Sequence, residues 1–460
     1  MPASPLAASP SGHKTGDRDP QIGRIALASL VGTTIEFYDF YVYATAAALV
    51  IGPVFFPQSM PSAQSLNAFL TFGIAFLARP VGSAIFGHFG DRIGRKTMLV
   101  LALLIMGVST TLIGVLPSYA QAGGLAPVLL CLMRLGQGIG LGGEWGGAAL
   151  IATENAPSHR RAWFGMFPQL GPSVGFLMAN GLFLALMFAL PDTAFKAWGW
   201  RIPFLASSVL VGIGLYVRIS LSETAAFAKA MAAQPPVRVP LIETLRHHWF
   251  ATLLGAFAMV VCYALFYIST VFSLSYASKH LGIPRETFLL LLCFAVLFMA
   301  AATPISAHLA DRHGRRPVLI GACALAVVSG FLLGPMLSSG NLVVVAAFLV
   351  IELSLMGATF APMGALLPEL FPTRVRYTGA SAAYNLGGIL GGSLAPYIAQ
   401  KLAQYGGLDW VGYYISVGAG LSLIAVFLMR ETREDDLSAE DGVAEALAEG
   451  FIPPQKSAAV

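Results

Sequence analysis

Gly87-His88-Phe89-Gly90-Asp91-Arg92-Ile93-Gly94-Arg95-Lys96 is a short, strongly charged stretch wedged between two long apolar runs. It has an echo in Ala307-His308-Leu309-Ala310-Asp311-Arg312-His313-Gly314-Arg315-Arg316, which also lies between apolar runs. The two copies match at His, Asp, Arg, Gly and Arg, and a second base closes each. Two copies about half a chain apart, in the same direction, mark a tandem repeat. Both are basic and both join hydrophobic segments, so the repeated unit is a set of membrane helices.

Composition leads to the same class. The chain is 56% hydrophobic and 11% charged, with a mean hydropathy of +0.73, whereas a soluble domain carries about 25% charged residues. At roughly 20 apolar residues per crossing, a chain of 460 residues has room for about a dozen helices. Hydrophobic spans are expected at 22–50, 66–88, 97–116, 124–153, 162–190 and 200–220. The second half repeats them at 248–277, 286–308, 317–337, 341–369, 377–403 and 408–430. The fold class is therefore an all-α polytopic membrane protein with 12 transmembrane helices in two six-helix bundles.

The polar segment 223–247 reads as the linker between an N-terminal bundle at 22–222 and a C-terminal bundle at 248–430. Residues 1–21 read as a disordered tail without a cleavable signal, and 431–460 as an acidic tail lacking the apolar heptads of a coiled coil. Cys131, Cys262, Cys293 and Cys323 fall one each in separate apolar runs and read as small buried hydrophobes.

Orientation follows from the bases. With both termini cytoplasmic, twenty of the 27 Lys and Arg residues lie on the cytoplasmic side and five on the other, while Arg79 and Arg134 fall inside spans. That asymmetry obeys the positive-inside rule. It predicts a multi-pass protein of the cytoplasmic (inner) membrane, with the lipid bilayer as its surroundings.

Intramembrane charge is costly and marks functional sites. In the first span Glu36, Asp39 and Tyr43 sit at i, i+3 and i+7 and share one helix face. Two carboxylates that close repel, so one of them is suited to carrying a proton. In the fourth span Arg134, Gln137 and Glu144 share a narrow face, flanked by glycines that let another helix approach closely. Arg134 can hold a substrate carboxylate or pair with Asp39, Glu36 or Glu144. Arg79 can partner Asp39 or act as a ligand.

Glu352 stands alone in the tenth span. Tyr263, Phe266, Tyr267, Tyr384, Asn385, Gln169 and Asn180 either line a cavity or simply pack. Gly171-Pro172 and Gly175 in the fifth span, and Gly387-Gly388, Gly391-Gly392 and Pro396 in the eleventh, predict helices that bend along a pathway. The charged turns, through Asp91, Arg92, Arg95, Asp311 and Arg312, are placed to latch helix ends together.

At this point the residues resemble a known family. The first turn matches in full the signature G-x-x-x-D-[RK]-x-G-[RK]-[RK] of the major facilitator superfamily, and the second has Ala307 for the leading Gly. More narrowly the chain looks like the metabolite–proton symporter family, which includes shikimate, α-ketoglutarate, citrate and proline/betaine carriers, and is nearest to its shikimate-carrier-like branch. The matching pieces include Glu36-Phe37-Tyr38-Asp39-Phe40, Ala78-Arg79-Pro80, Gly142-Gly143-Glu144-Trp145-Gly146-Gly147, Trp198-Gly199-Trp200-Arg201 and Pro368-Glu369-Leu370-Phe371-Pro372-Thr373. The resemblance implies two bundles around a central cavity and alternating access. It also implies that Asp91, Arg92 and Arg95 form a conformational latch, with Glu36, Asp39, Arg79, Arg134 and Glu144 as the polar centre of the first bundle.

The expected function is proton-coupled symport of a small organic acid, with protons and that acid as partners. The alternatives are a zwitterion carrier for betaine or proline, and an uncoupled facilitator. No nucleophile–base arrangement, HExxH motif or Walker loop is present, so an enzyme or an ATP-driven pump is not expected. Neither a metal nor a cofactor is expected beyond the proton as coupling ion. Nucleic acid is not an expected partner, and the chain is expected to act as a monomer.

Overall fold

The computed structural model describes residues 20–93, 95–219, 240–373 and 375–434, and among them there is no β-strand. Twelve long helical segments follow in chain order. α1 runs over Ile22–Phe55, with a π-helical turn at Ala47–Ile51. α2 (Pro61–Ile93), α3 (Arg95–Val115), α4 (Leu125–Glu154), α5 (Arg161–Ala189) and α6 (Ile202–Ile219) complete the first half. α7 spans Trp249–His280 with a π turn at Ile268–Phe272. α8 (Arg285–His313) is followed by α9 (Arg315–Gly330, resuming at Leu333–Leu337) and α10 (Leu342–Glu369). α11 is Arg376–Gly388, a π turn at Ile389–Ser393, and Ala395–Gly406; α12 is Leu408–Leu428.

Ten of these segments are long and apolar enough to cross a bilayer unbroken. The two that are not, α9 and α11, are the interrupted ones. On α3, Leu101, Val108 and Val115 are exposed at spacings of seven, a stripe of the kind that faces lipid. The protein is a multi-pass membrane protein.

In lipid no hydrophobic force drives helices together, so close backbone approach does. Glycines supply it between α4 and α2: a Cβ on Gly138 would fall on the Ala75 carbonyl, and one on Gly142 on that of Arg79. That contact fixes Arg79 of α2 beside the charged face of α4. Gly171 and Gly175 do the same for α5, lying against Thr33 and Thr34 of α1. Here the structure departs from expectation. α5 stays α-helical through Pro168, Pro172 and its glycines, which serve close packing, and only α11 of the two yields, at its π turn. The π turns of α1 and α7 stand at matching places in the two halves, a repeat that apolar patterning alone does not reveal.

In the first half α1 packs on α5 and α6, and α4 on α2 and α3. In the second, α7 packs on α11 and α12, and α8 on α10. The halves meet where α5 lies against α8 and α10, and where α2 lies against α11. The charged turns gather at one end of the assembly, called the basic end below. Most of the expected linker 223–247, and nearly all of both expected tails, lie outside the described residues. The helix Pro240–His247 rests at the basic end against α2, α7 and α11.

Candidate functional site

Three buried bases and three buried acids occupy the interior of the first half. Arg134 of α4 is fully buried, and each of its three nitrogens has a partner. Nε and Nη2 donate to the carbonyls of Thr71 (3.3 Å) and Phe72 (3.0 Å), and Nη1 to Gln137 Oε1 (2.5 Å). Its Cζ stands 3.8 Å from the centre of the Tyr43 ring, and the Tyr43 hydroxyl meets Thr71 Oγ1 at 2.6 Å. Gln137 Nε2 donates in turn to Thr110 Oγ1 at 2.7 Å. Arg134 therefore pairs with none of Asp39, Glu36 or Glu144. It ties α4 to the α2 backbone.

Glu144 pairs instead with Arg218 of α6, which also donates to the Leu99 carbonyl at 2.5 Å. The guanidinium lies where a Cβ on Gly32 of α1 would stand, so this one group is held by α1, α3, α4 and α6. Sequence reasoning missed Arg218, which stands in the last turn of its span and reads as a topological base. Nothing along the chain marks it; only its burial in the structure, 4% exposed, sets it apart. Glu36, one turn beyond Gly32, is within electrostatic reach of Glu144, Arg79 and Arg218, and its Oε2 has no hydrogen-bond partner among the described residues.

Asp39 is fully buried, and neither carboxyl oxygen has a hydrogen-bond partner among the described residues. The Ser207 hydroxyl of α6 and the Thr110 hydroxyl of α3 are its polar neighbours, and Glu144 is the charge it senses. Arg79 does not reach Asp39 as an ion pair. Its guanidinium stacks over Phe76 (4.2 Å) and Phe40 (4.7 Å), and Nε and Nη2 are unpartnered.

Arg79 faces the second half. Tyr263, Tyr267 and Tyr384 surround it across the interface. Phe76 meets Tyr267 edge-on at 5.5 Å, and Tyr41 stacks on Phe266 at 5.0 Å. Trp145 lies flat on Tyr384, 4.1 Å between ring centres, while its Nε1 donates to Gln169 Oε1 at 2.8 Å. Gln169 Nε2 and Asn385 Nδ2 then donate across the halves to the carbonyls of Phe360 (2.8 Å) and Gly142 (2.9 Å). Five of the aromatic and amide residues left open by the sequence, Tyr263, Phe266, Tyr267, Tyr384 and Asn385, thus meet the first half here. Away from the basic end a small gap of about 10 Å³, room for about one water, lies between the halves, walled by Tyr41, Thr45, Phe176, Asn180, Thr270 and Leu292, none of them charged. Glu352 is separate, fully buried on α10 near Ser329 of α9, with both oxygens unpartnered.

The basic end is closed by charge. Asp311 at the end of α8 accepts from the first free backbone N–H groups of α5, Ala162 (2.9 Å) and Trp163 (2.8 Å), an N-cap supplied by the other half. Arg315 joins Asp311 (3.3 Å) to Glu369 (3.1 Å), and Thr432 Oγ1 donates to Glu369 at 2.6 Å. Glu431 caps the start of α9 through the N–H groups of Arg315 and Arg316, its carboxylate filling the space beside Gly314, where φ is 103°. Arg312, expected in the latch, is exposed, and Arg315 is the buried base of the second turn. The side chains of Asp91, Arg92 and Arg95 lie outside the described residues.

The comparisons with known proteins agree with this architecture. The family described as Sugar (and other) transporter matches residues 25–234, and the Major Facilitator Superfamily matches 259–455. The chain is 54% identical over 419 residues to "Inner membrane metabolite transport protein YhjE" of Escherichia coli (strain K12), covering 90% of this chain and 95% of that one. It is 39% identical over 421 residues to the "Shikimate transporter" of the same organism, covering 89% and 95%. It is 32% identical over 444 residues to that organism's "Proline/betaine transporter", covering 94% and 88%. Among solved structures, the proton:xylose symporter XylE bound to 6-bromo-6-deoxy-D-glucose superposes with a TM-score of 0.73 at 17% identity, over 93% of this chain and 99% of that one. At that identity the match speaks to the fold alone.

Proposed function

The chain belongs to the major facilitator superfamily, in its metabolite–proton symporter family, and we propose that it carries a small organic acid together with protons by alternating access. It is a membrane transporter and not an enzyme. The membrane is the cytoplasmic one, and the basic end faces the cytoplasm with both termini, as the distribution of bases requires. The two bundles, 22–222 and 248–430, rock against each other about the polar centre. The basic-end network holds the cytoplasmic side shut.

One observation carries the coupled reading. Asp39 is fully buried with no base paired to it and only the Ser207 and Thr110 hydroxyls as polar neighbours, a setting that makes a bare carboxylate costly. A proton on Asp39 removes the charge, and its loss to the cytoplasm returns it. Arg79, the buried base with donors to spare, is the anchor for the substrate carboxylate. Arg134, with a partner on each nitrogen, holds the helices in place. Glu36, Glu144 and Arg218 set the charge around both.

A zwitterionic substrate is the second reading, favoured by the unpartnered Glu36 Oε2 within reach of Arg79 and by the 32% identical proline/betaine carriers. Proteoliposomes with an internal pH dye test these readings, using shikimate, α-ketoglutarate, citrate, succinate, proline and betaine added singly. Acidification with an acid establishes symport. Labelled uptake without any pH change makes the protein a facilitator and returns Asp39 to a structural role.

A further inference from the structure

Glu352 is a buried acid that no step above uses. It is fully buried on α10, and neither of its oxygens has a hydrogen-bond partner among the described residues. Its polar neighbour is Ser329 of α9, and no charged group among the described residues lies within electrostatic reach. Ser329 stands in the last turn of the first part of α9, which breaks after Gly330 and resumes at Leu333. Glu352 therefore sits beside the end of an interrupted helix.

Three features of this place bear on its charge. A carboxylate buried in a membrane protein without a base is costly. The last turn of a helix carries the negative end of its dipole, which repels an anion. Ser329 Oγ donates its own proton to the Ala326 carbonyl at 3.0 Å, so it offers Glu352 a lone pair and not a donor. A neutral carboxylic acid answers all three, because it carries no charge and brings the donor that Ser329 lacks. We infer that Glu352 is a second proton-binding site, in the second half and separate from the polar centre, whose resident proton fastens α10 to the break in α9.

The proton stays on Glu352 through the transport cycle, whatever the substrate. The residues of α10 that meet the first half, Phe360 and Gly364, lie about two turns or more further along the helix. Around the break the second half is closely packed. Gly330 lies against the Gly412 backbone of α12, and Ser416 Oγ donates to the Val327 carbonyl at 2.8 Å. On the same face of α10 as Glu352, Thr359 Oγ1 accepts from Cys262 Sγ of α7 at 3.4 Å, and Cys323 of α9 lies near that thiol. α8 presents Met299 and Thr303 to α10 at Gly357. Asp409 of α12 is exposed and borders Gly334, beyond the break. None of these is a base.

The test compares the full chain with Glu352→Gln, which keeps the shape and a donor but binds no proton. Linkage gives the sign: where the folded form binds a proton that the unfolded chain has released, stability falls as pH rises. From mildly acidic to alkaline pH the parent's unfolding equilibrium should therefore shift relative to the variant's, by up to about tenfold per pH unit. Parallel profiles overturn the inference. The difference infrared spectrum of the two proteins in heavy water should show a protonated-carboxyl C=O band that Glu352→Gln lacks at neutral pH. Loss of a carboxylate band in its place overturns the inference. Ser329→Ala keeps the acid and removes its acceptor, so it should shift that band even if Glu352→Gln does not fold; an unshifted band overturns the clasp. Accumulation driven by a pH gradient should be undiminished in Glu352→Gln. Its loss in a folded variant would mean that this proton is carried, and overturns its residence. If the parent itself shows no such accumulation, the symport reading fails and the infrared and unfolding results still decide this one.

Discussion

Arg376 at the start of α11 lies 3.5 Å from Glu154 at the end of α4. The same relationship recurs with the halves exchanged, Arg161 at the start of α5 standing 4.0 Å from Glu369 at the end of α10. Each half contributes an acid where one helix ends and a base where the next begins, and each acid meets the other half's base. The two contacts lie at the basic end, so they form together when the halves close there and are lost together when they part. A repeat in the sequence has become a reciprocal bond in space.

Glu369 is the more heavily used of the two acids, serving Arg161, Arg315 and the Thr432 hydroxyl. Breaking a buried pair costs about 3–5 kcal/mol, enough to reverse a two-state balance. Glu369→Gln should therefore favour the form open at the basic end. In a background without the four native cysteines, Ser381→Cys should react at least severalfold faster with an impermeant maleimide applied to that side. Unchanged labelling would remove Glu369 from the latch.

Asp311 reaches the N-terminus of α5 with both oxygens, and loss of such a cap costs about 0.5–2 kcal/mol. In Asp311→Asn the amides of Ala162 and Trp163 should exchange with deuterium roughly tenfold faster, consistent with about 1.4 kcal/mol, while the far end of α5 is unaffected. Uniformly faster exchange along α5 would mean the bundle itself had loosened, and the cap would not be the reason.

Asp39→Asn fixes the proton site as neutral. Accumulation driven by pH should vanish while exchange of substrate across the membrane persists. Undiminished pH-driven accumulation would take Asp39 out of the coupling.

Arg79 and Arg134 separate two roles that look alike in the sequence. Arg79→Gln should raise KM tenfold or more with little change in thermal stability, since two of its nitrogens bond to nothing in the protein. Arg134→Gln should do the reverse, because it removes the bonds that tie α4 to the α2 carbonyls of Thr71 and Phe72 and takes the Arg134 donor from the buried Gln137 Oε1, at a cost of about 1–3 kcal/mol. Thermal unfolding and transport kinetics measured on both variants check this. Equal destabilisation by the two would contradict it.

The contrast shows what was legible beforehand. The twelve spans, the repeat and the face shared by Glu36, Asp39 and Tyr43 follow from apolar periodicity and spacing, which are local properties of the chain. Partner choice is not local. Arg218 sits at a helix end, where a base ordinarily sets topology, and only the crossing of α6 past α4 brings it to Glu144. Arg134 looked like a ligand because a lone buried base invites one, and nothing along the chain says that the α2 carbonyls reach it. Arg315 and Arg312 are indistinguishable as letters in a turn. Their separation into buried and exposed comes from the helical phase of α8 and from the turn at Gly314.

Gly146 of α4 gives the cleanest access to the conformational balance. A Cβ there would fall on the Ser381 hydroxyl of α11, with the Ser381 Cβ itself at 3.3 Å. Unlike Gly138 and Gly142, which lie against backbone of their own half, Gly146 meets only the other half at close range. Gly146→Ala should therefore leave each bundle folded but oppose closure at the basic end. The obstacle is a single hydroxyl, so adding Ser381→Ala should restore closure almost completely, a non-additivity typical of residues in contact. Maleimide labelling of a cysteine placed in the interface near the basic end reads the balance in all three variants. Faster labelling in Gly146→Ala and a return toward the parent rate in the double variant are expected. If the double variant labels as fast as Gly146→Ala alone, the clash with Ser381 is not what opens the basic end.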